Sequence, residues 1–119
     1  MARASGLSGP LYEKEKMLSY TKAQKLAETW VELTTEGACE ISQVEDKPYG
    51  WIFYFISKDY DPNDVSIPMA GNTPIIIDRV DGEIRVTGTA YPAEHYIKEY
   101  EATLPVARLK MTPERHDGV

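Results

Sequence analysis

The sequence predicts an α+β domain in the order helix, four antiparallel strands, helix, with a single layer of helices packed on the sheet. Three observations carry this. Apolar residues recur at helical spacing over residues 21–33. The stretch Gly50-Trp51-Ile52-Phe53-Tyr54-Phe55-Ile56-Ser57 is apolar on both of its alternating faces. Asp81-Gly82 stands between two β-patterned runs, the composition of a tight hairpin.

Residues 1–18 hold Ala, Ser, Gly and Pro, then Glu-Lys-Glu-Lys, with weak periodicity. They are expected to form a flexible N-terminal segment, with Met17, Leu18 and Tyr20 available to pack at the helix entrance. The first helix spans residues 21–33. Thr21 with Gln24 fits a capping box, and Ala23, Leu26, Ala27, Trp30 and Val31 make one continuous apolar face. Lys25 precedes Glu28, the less favourable order for a helical ion pair, so the outer surface adds little. Gly37 is the natural stop.

Residues 38–44 alternate as a modest strand at or near a sheet edge, followed by a turn at Glu45-Asp46-Lys47-Pro48. The next strand, 50–57, points Trp51, Phe53 and Phe55 one way and Ile52, Tyr54 and Ile56 the other, so it is central and covered on both sides. A polar stretch, 58–72, with Pro62, Pro68 and Gly71 then makes a loop long for a compact domain. Residues 75–79 and 83–87 form the hairpin. A two-residue type I′ loop at Asp81-Gly82 pairs Val80 with Glu83, Asp78 with Arg85 and Ile77 with Val86. This register puts Ile75, Ile77, Ile84 and Val86 on the core face and sets Asp78 against Arg85 on the other. Pro92 suits the first turn of a second helix running to about residue 101, with Ala93, Tyr96, Ile97, Tyr100 and Leu104 at helical spacing. Residues 105–119 hold two prolines and mixed charge and read as a flexible C-terminal tail, leaving 19–104 as the folded domain.

At 119 residues the chain is one domain with room for one core, and its 42% hydrophobic and 27% charged residues are those of a globular protein rather than a disordered or membrane-embedded one. No apolar run approaches the ~20 residues of a membrane-spanning helix, and the N-terminus lacks a secretory core. Cys39 is the single cysteine, in keeping with a reducing compartment and a cytoplasmic location. Residues 19–104 carry seven basic and fifteen acidic side chains, a net charge of −8. Such a domain repels nucleic acid and anionic lipid and steers a basic partner protein toward itself; plain solubility explains the same balance.

Residues suited to catalysis are sparse. Cys39, His95 and His116 have no metal-ligand spacing, so neither a metal nor a cofactor is expected. A nucleophile at Cys39 would need His95 as base and an orienting acid, which the sequence does not bring together. Asp59, Asp61 and Asp64 alternate in one loop but lack the central glycine and terminal glutamate of a calcium loop. That loop, with Tyr60, is open to two readings: an acidic contact loop for a basic partner, or a solvated turn. Gly71, Gly82 and Gly88 match no phosphate-binding fingerprint. No enzyme activity is expected.

The run Gly50-Trp51-Ile52-Phe53-Tyr54-Phe55, the Gly71-Asn72-Thr73-Pro74 turn, the apolar strand ending in Asp78-Arg79, the Asp81-Gly82 turn and Gly88-Thr89-Ala90, with Ala27 and Trp30 in the leading helix, together resemble the immunity protein 35 family, also called YrhB-like. The resemblance covers residues 20–104. It implies a small intracellular bacterial domain that binds and neutralises a cognate toxin of a polymorphic-toxin or contact-dependent system, with no catalytic residues to carry over. Under that reading the toxin is basic, and the expected contacts are Glu45 and Asp46 in one turn and Asp59, Tyr60, Asp61 and Asp64 in the long loop. The alternative is a small chaperone-like stress protein that binds unfolded chains through an exposed apolar sheet face. A homodimer fits either reading if the second face of the central strand is left uncovered.

Overall fold

The computed structural model describes residues 17–64 and 73–117. Its elements are α1 (Tyr20–Thr35), β1 (Cys39–Lys47), β2 (Gly50–Ser57), β3 (Ile75–Asp78), β4 (Ile84–Val86), α2 (Ala93–Ala102) and the single turn α3 (Val106–Leu109). The strands form one antiparallel sheet in sequence order, with β2 and β3 inside and β1 and β4 at the edges. The α+β class is as the sequence predicts. The expected flexible segment 1–18 lies outside the described residues up to residue 16.

The helices, however, do not share one layer. Trp51, Phe53 and Phe55 of β2 pack with Ile75, Ile77 and the small-residue face of α1, Ala23, Ala27 and Val31. On the opposite face Ile52 and Ile76 pack with Tyr49 and with Ile97 of α2, flanked by Tyr54, Tyr100 and Leu104. The reason lies in β2 and β3: both alternate apolar with apolar, and one helix can cover only one side. The same arrangement removes the reason for expecting a dimer, because α2 covers the second face of β2 within the chain.

The first helix starts earlier than the capping box implies. Ser19 is its N-cap, accepting from Lys22 N–H at 3.4 Å, while Thr21 lies inside the helix and the Gln24 amide donates to Glu28 at 3.0 Å. Leu18 N–H donates to Arg79 O at 2.7 Å, which fixes the chain just before the cap. At the other end Glu36 and Gly37 take positive φ, and Gly37 N–H closes on Glu32 O at 2.9 Å. Trp30 is half-buried, edge-on to Phe55, and Leu26 sits at the rim with 39% exposure, so the buried face is narrower than the sequence pattern.

β1 runs through the expected turn to Lys47, leaving only Pro48 and Tyr49 as the connection to β2. A bulge makes this work. Ile41 pairs with Phe55 and Gln43 with Tyr54, so Ser42 is an extra residue. Ile41 and Val44, three apart, therefore both face α1, and strict alternation in the sequence is broken at that point. Gly50 opens β2 against the β3 backbone: a Cβ there would lie 2.0 Å from Ile77 O.

The β3–β4 register differs from the two-residue hairpin. Ile75 pairs with Val86, Ile76 with Arg85 and Ile77 with Ile84. Aspartates shape the wider loop: Asp78 Oδ1 accepts from Val80 N–H and Asp81 Oδ1 from Glu83 N–H, both at 2.9 Å, and Gly82 N–H returns to Asp78 O at 2.8 Å. Gly82 takes φ +68°, but Asp81 does not take the positive φ of a type I′ turn. A slip of two residues keeps each side chain on its face, so Ile75, Ile77 and Ile84 still join the core, while Val86 is exposed. The Asp78–Arg85 cross-strand pair is not formed; Arg85 binds Asp81 instead, at 2.7 Å.

Residues 105–117 are not a loose tail in the structure. Pro105 precedes α3, and the chain beyond it crosses the sheet's end as a strap. Arg79 donates to Thr112 O at 2.7 Å, the Trp51 indole to Glu114 O at 2.8 Å, and Tyr20 N–H to the Glu114 carboxylate at 3.0 Å. Each contact satisfies a polar group at the margin of the core, which mixed charge and two prolines do not reveal.

Candidate partner-binding surface

The six sequence-selected contact residues divide between opposite ends of the sheet. Lys47 pairs with Gly50 at one end, and Cys39 with Ser57 at the other. At the usual rise per residue of a strand these ends are about 23 Å apart. Glu45 and Asp46 lie at the first end; Asp59, Tyr60, Asp61 and Asp64 follow β2 at the second.

At the first end the carboxylates are engaged within the fold. Asp46 accepts from both the backbone N–H of His116 and its ring, at 2.9 and 3.0 Å. Glu45 meets Lys47 at 3.3 Å and accepts from the Tyr54 hydroxyl at 3.3 Å. Lys47 also reaches Glu101 at 3.4 Å, and Glu101 accepts from the Tyr49 hydroxyl at 2.8 Å. Burial, then the Glu101 hydrogen bond and charge, push the Tyr49 phenol well above its ordinary value. Burial and Glu45 raise the Tyr54 pKa as well. Nearby, Asp78 is 1% exposed and is held by the Tyr100 hydroxyl, the Arg108 guanidinium and Val80 N–H. Burial acts to raise the Asp81 pKa, but the Arg85 and Glu83 hydrogen bonds outweigh it and hold the carboxyl below its usual range.

At the second end the picture reverses. Tyr60 N–H donates to Ser57 O at 3.1 Å, and Asn63 N–H to the Asp61 side chain at 2.9 Å, so the loop's start is shaped by its own backbone. Asp59 and Asp61 are exposed, and Tyr60 and Asp64 are half-buried. Lys58 N–H donates to Ala38 O at 2.9 Å, which brings this loop beside the start of β1 and the last turns of α1. Glu28, Glu32, Glu36 and Glu40 therefore join Asp59 and Asp61 at one end of the molecule. Among the described residues no ion pair reaches any of these six carboxylates; the ion pairs lie in β1's far end, the β3–β4 loop, α2 and the strap. Sequence reasoning missed the four glutamates, because only the Ala38–Lys58 and Cys39–Ser57 pairings bring them to the loop.

The residues weighed for catalysis are not brought together. Cys39 is buried under α1 at the second end. His95 stacks on Tyr91, ring centroids 4.3 Å apart, and meets Glu99 at 3.3 Å on α2. His116 sits on Asp46 at the first end. Among the described residues no group of three His, Cys, Asp or Glu side chains is placed to hold a metal ion, and no helix is long and apolar enough to cross a membrane. The Gly88-Thr89-Ala90 run has a structural account: the Tyr96 hydroxyl accepts from Ala90 and Tyr91 N–H at 3.1 and 3.2 Å, in space that a Cβ on Gly88 would fill at 2.7 Å.

No family model matches the chain, and no solved structure matches it. Among curated proteins it is similar to the uncharacterized protein YrhB of Escherichia coli (strain K12), with 43% identity over 53 residues. The match takes in 44% of this chain and 56% of that protein, so the chain spans about half the length of the relative it resembles.

Proposed function

We propose that this protein is a bacterial immunity protein that neutralises a cognate, basic toxin by stoichiometric binding, without turnover. The observation that carries the reading is a set of exposed carboxylates that no ion pair reaches. Lys47 and Arg108 pair with carboxylates at the strap end of the sheet, while Glu28, Glu32, Glu36, Glu40, Asp59 and Asp61 face solvent and, among the described residues, no ion pair reaches them. Mutual repulsion of that kind costs folding stability and is offset when a cationic surface docks. The resemblance to the immunity protein 35 family supports the same reading. The contact set this favours is Asp59, Tyr60, Asp61 and Asp64 with the four glutamates. Glu45 and Asp46 already serve the fold. The chaperone-like alternative asks for an exposed apolar sheet face, and β2 offers none: Trp51, Ile52 and Phe53 are fully buried.

The test is capture from host lysate on the tagged full chain, at low and high salt. One large stoichiometric partner released by salt supports the proposal. Retention of the same partner by an Asp59→Asn, Asp61→Asn, Tyr60→Ala variant, with unchanged affinity, moves the contact away from the loop. Many substoichiometric clients would replace the immunity reading with the chaperone one.

A further inference from the structure

β1 is an edge strand of nine residues. Its first N–H, on Cys39, is taken by Thr35 Oγ1 at 3.2 Å. Beyond it, among the described residues, no hydrogen bond joins the backbone of residues 40–47 to anything but β2. On either side of the Ser42 bulge, alternate N–H and C=O groups along that edge are thus free to pair with another strand.

Beside the open edge lies a groove of about 350 Å³ between α1 and β1. Val31, Cys39 and Ile41 give it an apolar floor, and Glu28 and Glu32 from α1 give it an acidic wall, with Lys58 at its rim; Glu40, between Cys39 and Ile41, turns its side chain to the other face of the sheet. An exposed strand edge next to a helix-walled groove is the geometry in which main-chain bonds supply affinity and alternate side chains supply selectivity. The occupant follows from charge. Lys or Arg side chains can lay their alkyl stems on the floor and their charged heads against the glutamates. A second copy of β1 fits poorly, because that strand carries Glu40, Glu45 and Asp46 against one Lys47, and self-pairing would set like charges opposite each other.

We infer that the outer edge of β1 accepts a positively charged extended segment of a protein partner as a fifth strand, with its basic side chains entering the α1–β1 groove. The inference rests on the partner-binding reading above and narrows it to one edge, one backbone conformation and one side-chain chemistry.

The test uses the full chain and a six-residue, end-capped peptide alternating lysine with valine, followed by amide hydrogen exchange and NMR titration at low salt. Slowed exchange and shifted amides along 40–47 are expected. The Glu28→Gln, Glu32→Gln variant, altered only at exposed positions, should bind about fivefold more weakly, the size of two solvent-exposed charge pairs. A control peptide N-methylated at alternate residues keeps its charge but loses its ladder donors, and should not protect the edge. Equal binding of that control, or a footprint away from β1, overturns the inference. So does protection of β1 that appears without peptide and grows with protein concentration, which would mean a second copy sits there. Capture of a basic partner whose footprint leaves β1 untouched overturns this inference and leaves the broader reading standing. Peptide on β1 with no cellular partner found supports the edge site and removes the broader reading.

Discussion

Asp78 shows how far a single side chain can depend on residues remote in sequence. Arg108, Tyr100 and Val80 converge on a carboxylate that is 1% exposed. Asp78→Ala leaves the Arg108 guanidinium without its anion, and should lower unfolding free energy in urea by about 3–5 kcal/mol. The sequence made Asp78 legible as polar and paired, but it pointed to Arg85; the true cation lies 30 positions on, in a segment that reads as tail. The buried phenols give a second expectation. Burial, with Glu101 at Tyr49 and Asp78 at Tyr100, raises both pKa values above their ordinary 10.0. Their contribution is fully present below pH 10 and is lost as pH rises further toward the folded-state values. Denaturation midpoints should therefore fall with rising pH in the strongly alkaline range, and less steeply in Tyr49→Phe.

Among the elements, the two helices and β2 were the most legible, since a 3.6-residue period and a doubly apolar run survive any packing detail. Ends and registers were not. The capping box looked complete at Thr21 and Gln24, yet Ser19 caps α1, because the Leu18–Arg79 bond sets where the helix begins. Thermal melts should separate the two: Ser19→Ala costs about 1 kcal/mol, whereas Thr21→Ala, at an exposed position inside the helix, leaves stability unchanged or raises it by a few tenths. The hairpin register failed for a related reason. Two aspartate side chains bind backbone N–H groups within the loop and widen it, a local competition that a dipeptide rule does not weigh. At Gly50 the β3 backbone leaves no room for a Cβ, and Gly50→Ala should cost about 3 kcal/mol or more, on the order of the larger steric penalties seen in cores, read from the urea midpoint.

For the whole molecule, the sequence gives the class but not the layering. Which face each helix takes is decided by β2 and β3 together, and neither strand alone reveals it. Nor does the linear charge count foretell which carboxylates pair within the fold: the net −8 of residues 19–104 is a sum, while recognition depends on where it resides. The strap from 110 to 117 closes the sheet end over Trp51. Ending the chain at 110 should red-shift tryptophan emission and lower the melting temperature. Binding of a basic partner at the opposite end should survive that truncation and weaken steeply with ionic strength, which a titration across salt concentrations measures directly.

Ser42 has a meaning for descent as well as for shape. It is a residue the core does not count: removing it leaves Cys39, Ile41 and Val44 on the same side, now in plain alternation, with the β1–β2 ladder uninterrupted. A homologous chain one residue shorter between Cys39 and Lys47 would keep the same interior, and the gap belongs at position 42. What such a lineage would lose is the kink that keeps an open edge from lying flat against its own kind.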